Sequence, residues 1–108
     1  MPPPVVPWMT RVDHLVLDLL DQQGIALPPT AITLALEEEH GINAPSSSQV
    51  ARRLREDLSH HGLVKQPHED RVQGYYLITD LGSRYLNDSD AEPEEFIADA
   101  NDTDGSSS

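Results

Sequence analysis

The segment Pro45-Ser-Ser-Ser-Gln-Val-Ala-Arg-Arg-Leu-Arg-Glu-Asp-Leu-Ser-His-His-Gly-Leu-Val64 constrains the fold more than any other, because it carries the start and the stop of a single helix. Ser46 is placed to act as N-cap with Gln49 three residues on, the pairing of a capping box, and Gly62 supplies the left-handed residue that ends a helix. Between them Val50, Leu54 and Leu58 recur every four residues as one apolar stripe. At about 100° per residue, Arg52 falls almost opposite that stripe, flanked by Ser48, Gln49, Glu56 and Ser59, while Arg53 and Arg55 project to either side. One face packs and the other presents arginine. Ordinary solvated helices also carry charge, but this one holds three of the seven basic residues of a strongly acidic chain.

The elements on either side complete a pattern. Residues 1–7 contain four prolines and read as an extended arm. Val12, Leu15, Val16, Leu19 and Leu20 then follow the i, i+3, i+4 spacing of an amphipathic helix that stops at Gly24, with Leu17 left outside the stripe and exposed. Ile25-Ala-Leu27 is an edge strand at most. A second helix runs from about Pro29 to His40 with Ile32, Ala35 and Leu36 inward, Gly41 terminates it, and Ile42 is expected to plug the core beneath the turn. After the third helix, Leu63–Gln66 and Gly74–Ile78 read as hairpin strands around the wing Pro67–Gln73, and Thr79 caps a short helix carrying Leu81, Tyr85 and Leu86. The fold class expected is α+β, mostly helical: a winged helix-turn-helix with a three-helix core, a β-hairpin wing and a short C-terminal helix. Its bounds are residues 8–87, between the proline-rich arm and a disordered acidic tail, 88–108, whose only ordering signal is a turn around Phe96-Ile97.

Composition narrows the function. The net charge of −12 disfavours a phosphate-rich partner, yet eight of the 19 acids fall in residues 87–108, which hold no base; the other 11 face 7 bases. With no cysteine, disulfides, thiolate metal sites and cysteine nucleophiles are excluded. No apolar run approaches the roughly 20 residues of a membrane span, and the proline-broken start lacks the features of a secretion signal. These point to a soluble cytoplasmic protein. His60 and His61 are adjacent and diverge on a helix, without a spaced partner for metal; Asp99–Gly105 only faintly echoes a calcium loop. There is no glycine-rich phosphate loop, nucleophile elbow or triad, so neither an enzyme nor a cofactor is expected.

The run Arg52-Arg-Leu-Arg-Glu-Asp-Leu-Ser-His-His-Gly-Leu-Val64, followed by Gly74-Tyr-Tyr-Leu-Ile-Thr-Asp-Leu-Gly-Ser-Arg-Tyr-Leu86, resembles the third helix, wing and following helix of winged-helix transcription regulators. From Trp8 to Leu86 the chain looks like the haloarchaeal phage phi-H repressor-like family. The resemblance implies a DNA-binding regulator whose third helix enters the major groove, on an acidic, lysine-poor surface suited to molar salt. The chain departs from the family in the wing, where Arg71 stands beside Glu69 and Asp70 instead of among several bases.

In a helix docked end-first in the major groove, the N-terminal turns lie deepest and lateral residues meet phosphates. Ser48, Gln49 and Arg52 are therefore the candidates for base edges, Arg53 and Arg55 for the backbone, Ser46 and Ser47 for a phosphate at the helix N-terminus, and Arg71 for a wing contact. The function expected is a sequence-specific regulator of double-stranded DNA, most simply a promoter-occluding repressor. The alternative is a winged-helix protein-interaction module that does not bind DNA. One helix reads few base pairs, which favours a homodimer, with Trp8, Leu17, Tyr85 and Leu86 as contact material unless they close the monomer core.

Overall fold

Residues 3–98 are described in a computed structural model, which has four helices and one small antiparallel sheet, an α+β arrangement. Helix α1 (Arg11–Gln23) begins after Thr10, whose N–H donates to the Asp13 carboxylate at 2.8 Å, and stops at Gly24. Helix α2 (Pro29–His40) takes its first turn from Pro28 and Pro29, whose φ values are preset for a helix start. A 3₁₀ turn, Gly41–Asn43, leads to α3, which is α-helical over Ser47–Arg53, π-helical over Leu54–Leu58 and reaches His60. Strands β1 (Val64–Lys65) and β2 (Leu77–Ile78) pair with Val64 opposite Ile78, and α4 (Asp80–Asn87) follows. No helix of the described residues is long and apolar enough to cross a membrane.

Leu27 exchanges two backbone hydrogen bonds of 2.9 Å with Tyr76, one residue before β2. Successive residues of a strand turn their backbone groups to opposite edges, and Leu77 and Thr79 turn theirs to the β1 side, so Tyr76 and β2 lie between Leu27 and β1. The segment Ile25–Leu27 thus contributes a single bridge to the sheet, and the hairpin is shorter than the eleven-residue loop between its strands would suggest. Thr79 ties the sheet to two helices at once: its Oγ1 accepts from Gly82 N–H and donates to Gly62 O at 2.7 Å. A Cβ at Gly82 would lie 2.5 Å from Leu63 O and 2.6 Å from Ile78 Cγ1, so only glycine lets α4 settle directly on the hairpin.

Helix α1 is the centre of the molecule, in contact with α2, α3, α4 and β2. That placement corrects the first expectation to fail. Leu17 is fully buried, not exposed, because a helix covered on several sides has no solvent face to leave outside its stripe. Ile42 moves the other way. As the middle residue of the 3₁₀ turn it is fully exposed, and the space beneath the turn is covered by Pro45, which is buried, and Ala44, which packs on the core.

The two flanking segments also belong to the core. Val6, within the proline-rich arm, is buried, and its carbonyl accepts from Met9 N–H. On the other side Pro93–Phe96 forms a 3₁₀ turn that inserts Phe96, 0% exposed, against Tyr85 in an edge-to-face contact of 5.6 Å. Trp8 Nε1–H donates to Phe96 O at 2.7 Å, and Ala98 N–H donates to His61 Nδ1 at 2.8 Å. Arg84 pairs with both Asp88 and Glu95. Residues 88–98 are therefore a packed strap and not part of a disordered tail. Segment-wide composition hides one aromatic anchor and a cation that neutralises two of the acids around it. The calcium-like echo at 99–105 and the rest of the acidic tail lie outside the described residues.

Replacing Phe96 by Ala removes a fully buried ring and is expected to cost about 3–5 kcal/mol in urea unfolding, whereas an unpacked tail would show no change. The strap should also loosen in acid. Its Glu95 carboxyl is held down to about 2, from an ordinary 4.5, by the Arg84 guanidinium and by the backbone N–H of Glu92. A depressed carboxylate stabilises above its unfolded value and loses that contribution as pH falls. Trp8 fluorescence, which senses the strap through its bond to Phe96, should therefore change between pH about 4.5 and about 2.

Candidate nucleic-acid interface

The candidate site is the outer face of α3, and its first turn forms as the sequence dictates. Ser46 Oγ accepts from Gln49 N–H at 3.2 Å, and Gln49 Oε1 accepts from Ser46 N–H at 3.0 Å, the reciprocal pair of a capping box. Val50, Leu54 and Leu58 are each 0% exposed. Residues four apart drift steadily round an ideal helix of 3.6 residues per turn, so three of them would spiral away from a flat core. The π-helical turn over Leu54–Leu58 is wider, with the Leu54 carbonyl accepting both from the Ser59 backbone N–H and, at 2.6 Å, from Ser59 Oγ, and it holds the last two leucines in line.

Arg52 and Arg55 stand on the opposite side with side chains 69% and 64% exposed. Each approaches the same exposed acid, Glu56, at 3.7 and 3.4 Å. Exposed pairs of this kind are worth roughly 0–1 kcal/mol and give way readily to a better anion. Ser46, Ser47, Ser48 and Gln49 are exposed beside them, and Arg71 is exposed in the β1–β2 loop next to Glu69 and Asp70. Gln49 is present on the face but its amide oxygen is engaged in the capping box, so reading adenine with it would break the helix start.

Arg53 is the exception, and its assignment to phosphates is corrected. Its Nε donates to Asp13 Oδ1 at 2.8 Å and its Nη2 to Asp13 Oδ2 at 2.6 Å, a bidentate fork on a carboxylate that is 0% exposed. Nη2 also donates to Trp8 O at 3.2 Å, and Nη1 pairs with Asp57 at 2.7 Å. The hydrogen bonds from Arg53 to Asp13 raise the guanidinium pKa above its ordinary value, against the lowering effect of burial. With every arm occupied by Asp13, Trp8 O and Asp57, Arg53 orients α3 on α1. It lies beneath a hollow of about 270 Å³ lined by Thr10, Val12, Gln49, Arg52 and Arg53, where the start of α1 meets α3.

Sequence reasoning missed Asp13 and Arg11. Asp13 had a signal, since Thr10-x-x-Asp13 is itself a helix-start pattern with an acid at the third position. Arg11, whose Nη1 donates to Asn43 O at 3.0 Å across the turn before α3, carried none. The adjacent histidines have structural contacts. His61 stacks on Trp8 with centroids 4.1 Å apart and planes at 11°, and the two imidazoles meet edge-to-face at 4.8 Å. No group of three metal-ligating side chains occurs among the described residues.

No family model, curated protein or solved structure matches the chain. The functional reading therefore rests on the geometry of α3 and its supports.

Arg53→Ala leaves a buried carboxylate without its fork and is expected to cost about 3–5 kcal/mol, with Lys at 53 restoring only part because a point charge cannot span both oxygens. Arg52→Ala should stay within about 0.5 kcal/mol of the parent in the same urea titration, as an exposed side chain with one weak pair.

Proposed function

We propose that this protein is a winged-helix regulator of transcription that binds double-stranded DNA through the outer face of α3, most simply as a repressor occluding a promoter. The observation that carries the reading is the division of labour within one helix: Arg52 and Arg55 are exposed and weakly engaged while Arg53 and the leucine stripe lock the opposite side. A ligand-reading helix must be held within fractions of an ångström, and exposed guanidiniums facing away from the core match guanine edges or phosphates. The element order supports the same reading: two helices, a turn, a third helix, then a hairpin whose second strand meets the bridge residue between α1 and α2.

In this reading Arg52, with Ser48, contacts base edges, Arg55 and Ser47 contact phosphates, Ser46 and Gln49 keep the helix start, and Arg71 reaches the duplex from the wing. Arg53 serves as a positioning residue. The functional unit is a homodimer on a two-fold site inside the cell, because three or so base contacts select too few base pairs for one genomic target. Trp8, Tyr85 and Leu86 are engaged in the protomer core and Leu17 is buried, so the dimer contact lies elsewhere. The second reading, a protein-interaction module, draws on Leu34 at 56% and Ile42 at 101% exposure, which place apolar surface beside Glu37, Glu38 and Glu39.

Fluorescence titration against the gene's own upstream DNA and against random duplex, in potassium chloride from low to molar, separates the two. Specific binding is expected to fall by about 1–3 kcal/mol in Arg52→Ala, erasing the preference for the cognate site, while Arg55→Ala weakens both duplexes alike. Absence of duplex binding at every salt concentration would leave the interaction module standing.

A further inference from the structure

We infer that Glu56 governs which anions the arginine face of α3 accepts: its carboxylate holds Arg52 and Arg55 together and opposes a phosphate that brings no base edge with it. The inference deepens the DNA-binding reading and rests on it for its consequence on a duplex, but the contact itself stands on the structure. Glu56 is reached from two sides. Arg52 Nε lies 3.7 Å from Oε1 and Arg55 Nη2 lies 3.4 Å from Oε2, so the two exposed guanidiniums of the face meet the two oxygens of one carboxylate. The π-helical turn places it there. Leu54 and Leu58 bury the inner side of that turn and Asp57 is tied to Arg53, which leaves Arg55 and Glu56 as its outward residues.

Two guanidiniums that converge on a two-oxygen edge are also arranged for a phosphate, which offers the same kind of edge. A phosphate arriving there displaces the carboxylate but cannot remove it, because Glu56 sits one turn, about 6 Å, from Arg52 on the same side of the helix. The two anions then repel each other at close range. A guanine edge makes no such demand. Its O6 and N7 are neutral acceptors, so Arg52 can leave Oε1 for them while Arg55, with N–H donors to spare, keeps Oε2 and still spans to one phosphate. The freed oxygen of Glu56 is itself an acceptor suited to the amino group of a cytosine, a donor that a phosphate lacks. The same side chain therefore disfavours a backbone alone and tolerates a backbone with bases, which is how a repulsive element creates specificity.

The test compares the full chain with Glu56→Gln, which keeps the shape of an exposed side chain and removes its charge, and with Glu94→Gln, which removes the same charge from the strap. Without DNA, the side-chain N–H shifts of Arg52 and Arg55 are expected to move in Glu56→Gln alone, and inorganic triphosphate should bind that variant several-fold more tightly at about 0.05 M potassium chloride. With DNA, Glu56→Gln should tighten random duplex several-fold and the gene's own upstream duplex less, so that the preference between them falls. The slope of log K against log salt for random duplex should steepen by about 0.9, the value of one more phosphate neutralised. Unchanged guanidinium shifts with unchanged triphosphate affinity would overturn the inference, whatever the duplexes give. So would an equal gain in Glu94→Gln, which would reduce the effect to net charge, or an equal gain on both duplexes, which would leave Glu56 no part in discrimination. A triphosphate gain confined to Glu56→Gln in proteins that bind no duplex would uphold its control of the arginine pair and remove the DNA reading instead.

Discussion

The bidentate pair between Arg53 and Asp13 is the interaction on which the arrangement of this molecule turns. It joins α3 to the first turn of α1 through two short hydrogen bonds, and the same carboxylate accepts from Thr10 N–H and Thr10 Oγ1. One buried acid thus closes a helix start and fixes a second helix against it. Desolvating two charges offsets much of their attraction, so the pair is a poor source of stability relative to apolar packing. What it supplies is register: a planar fork on a planar carboxylate admits one orientation of α3, whereas leucines alone would tolerate several.

The back of α3 is closed by two segments far apart in sequence. Trp8 comes from the proline-rich start and packs on His61, while the strap brings Phe96 O to the Trp8 indole and Ala98 N–H to His61. The carbonyl of Trp8 also accepts from Arg53. Trp8 therefore links the strap, the end of α3 and the buried ion pair. Proline restricts the residues leading to Trp8, which lowers the entropy lost when they are ordered.

Scarce cations in an acidic chain have to be allotted, and the structure divides them. Arg53 and Arg84 hold carboxylates that build the fold, and Arg11 caps the turn before α3. Arg52, Arg55, Lys65 and Arg71 are exposed. Binding of a polyanion would draw on that second group alone, so the charge that matters for recognition is local and not the net −12.

Much of the architecture was legible from local chemistry. The Ser46–Gln49 box, the glycines after α1, α2 and α3, the prolines opening α2 and the Thr79 cap act within a few residues, and their hydrogen bonds need no knowledge of the rest of the chain. The same locality let the exposed positions of Arg52 and Arg55 be read from helical phase. Leu17, Ile42, Arg53 and Phe96 escaped that logic because their fate depends on partners distant in sequence. Leu17 is buried because α4 and the sheet return to α1; Ile42 is exposed because Ala44 and Pro45 fill the space first; Arg53 turns inward because Asp13 waits 40 residues earlier; and Phe96 orders its acidic segment because Trp8, Tyr85 and Arg84 meet it. Periodicity and capping determined which residues form each helix. Only tertiary packing decided which arginine is free to meet a ligand, since that depends on whether a carboxylate from another element already occupies it.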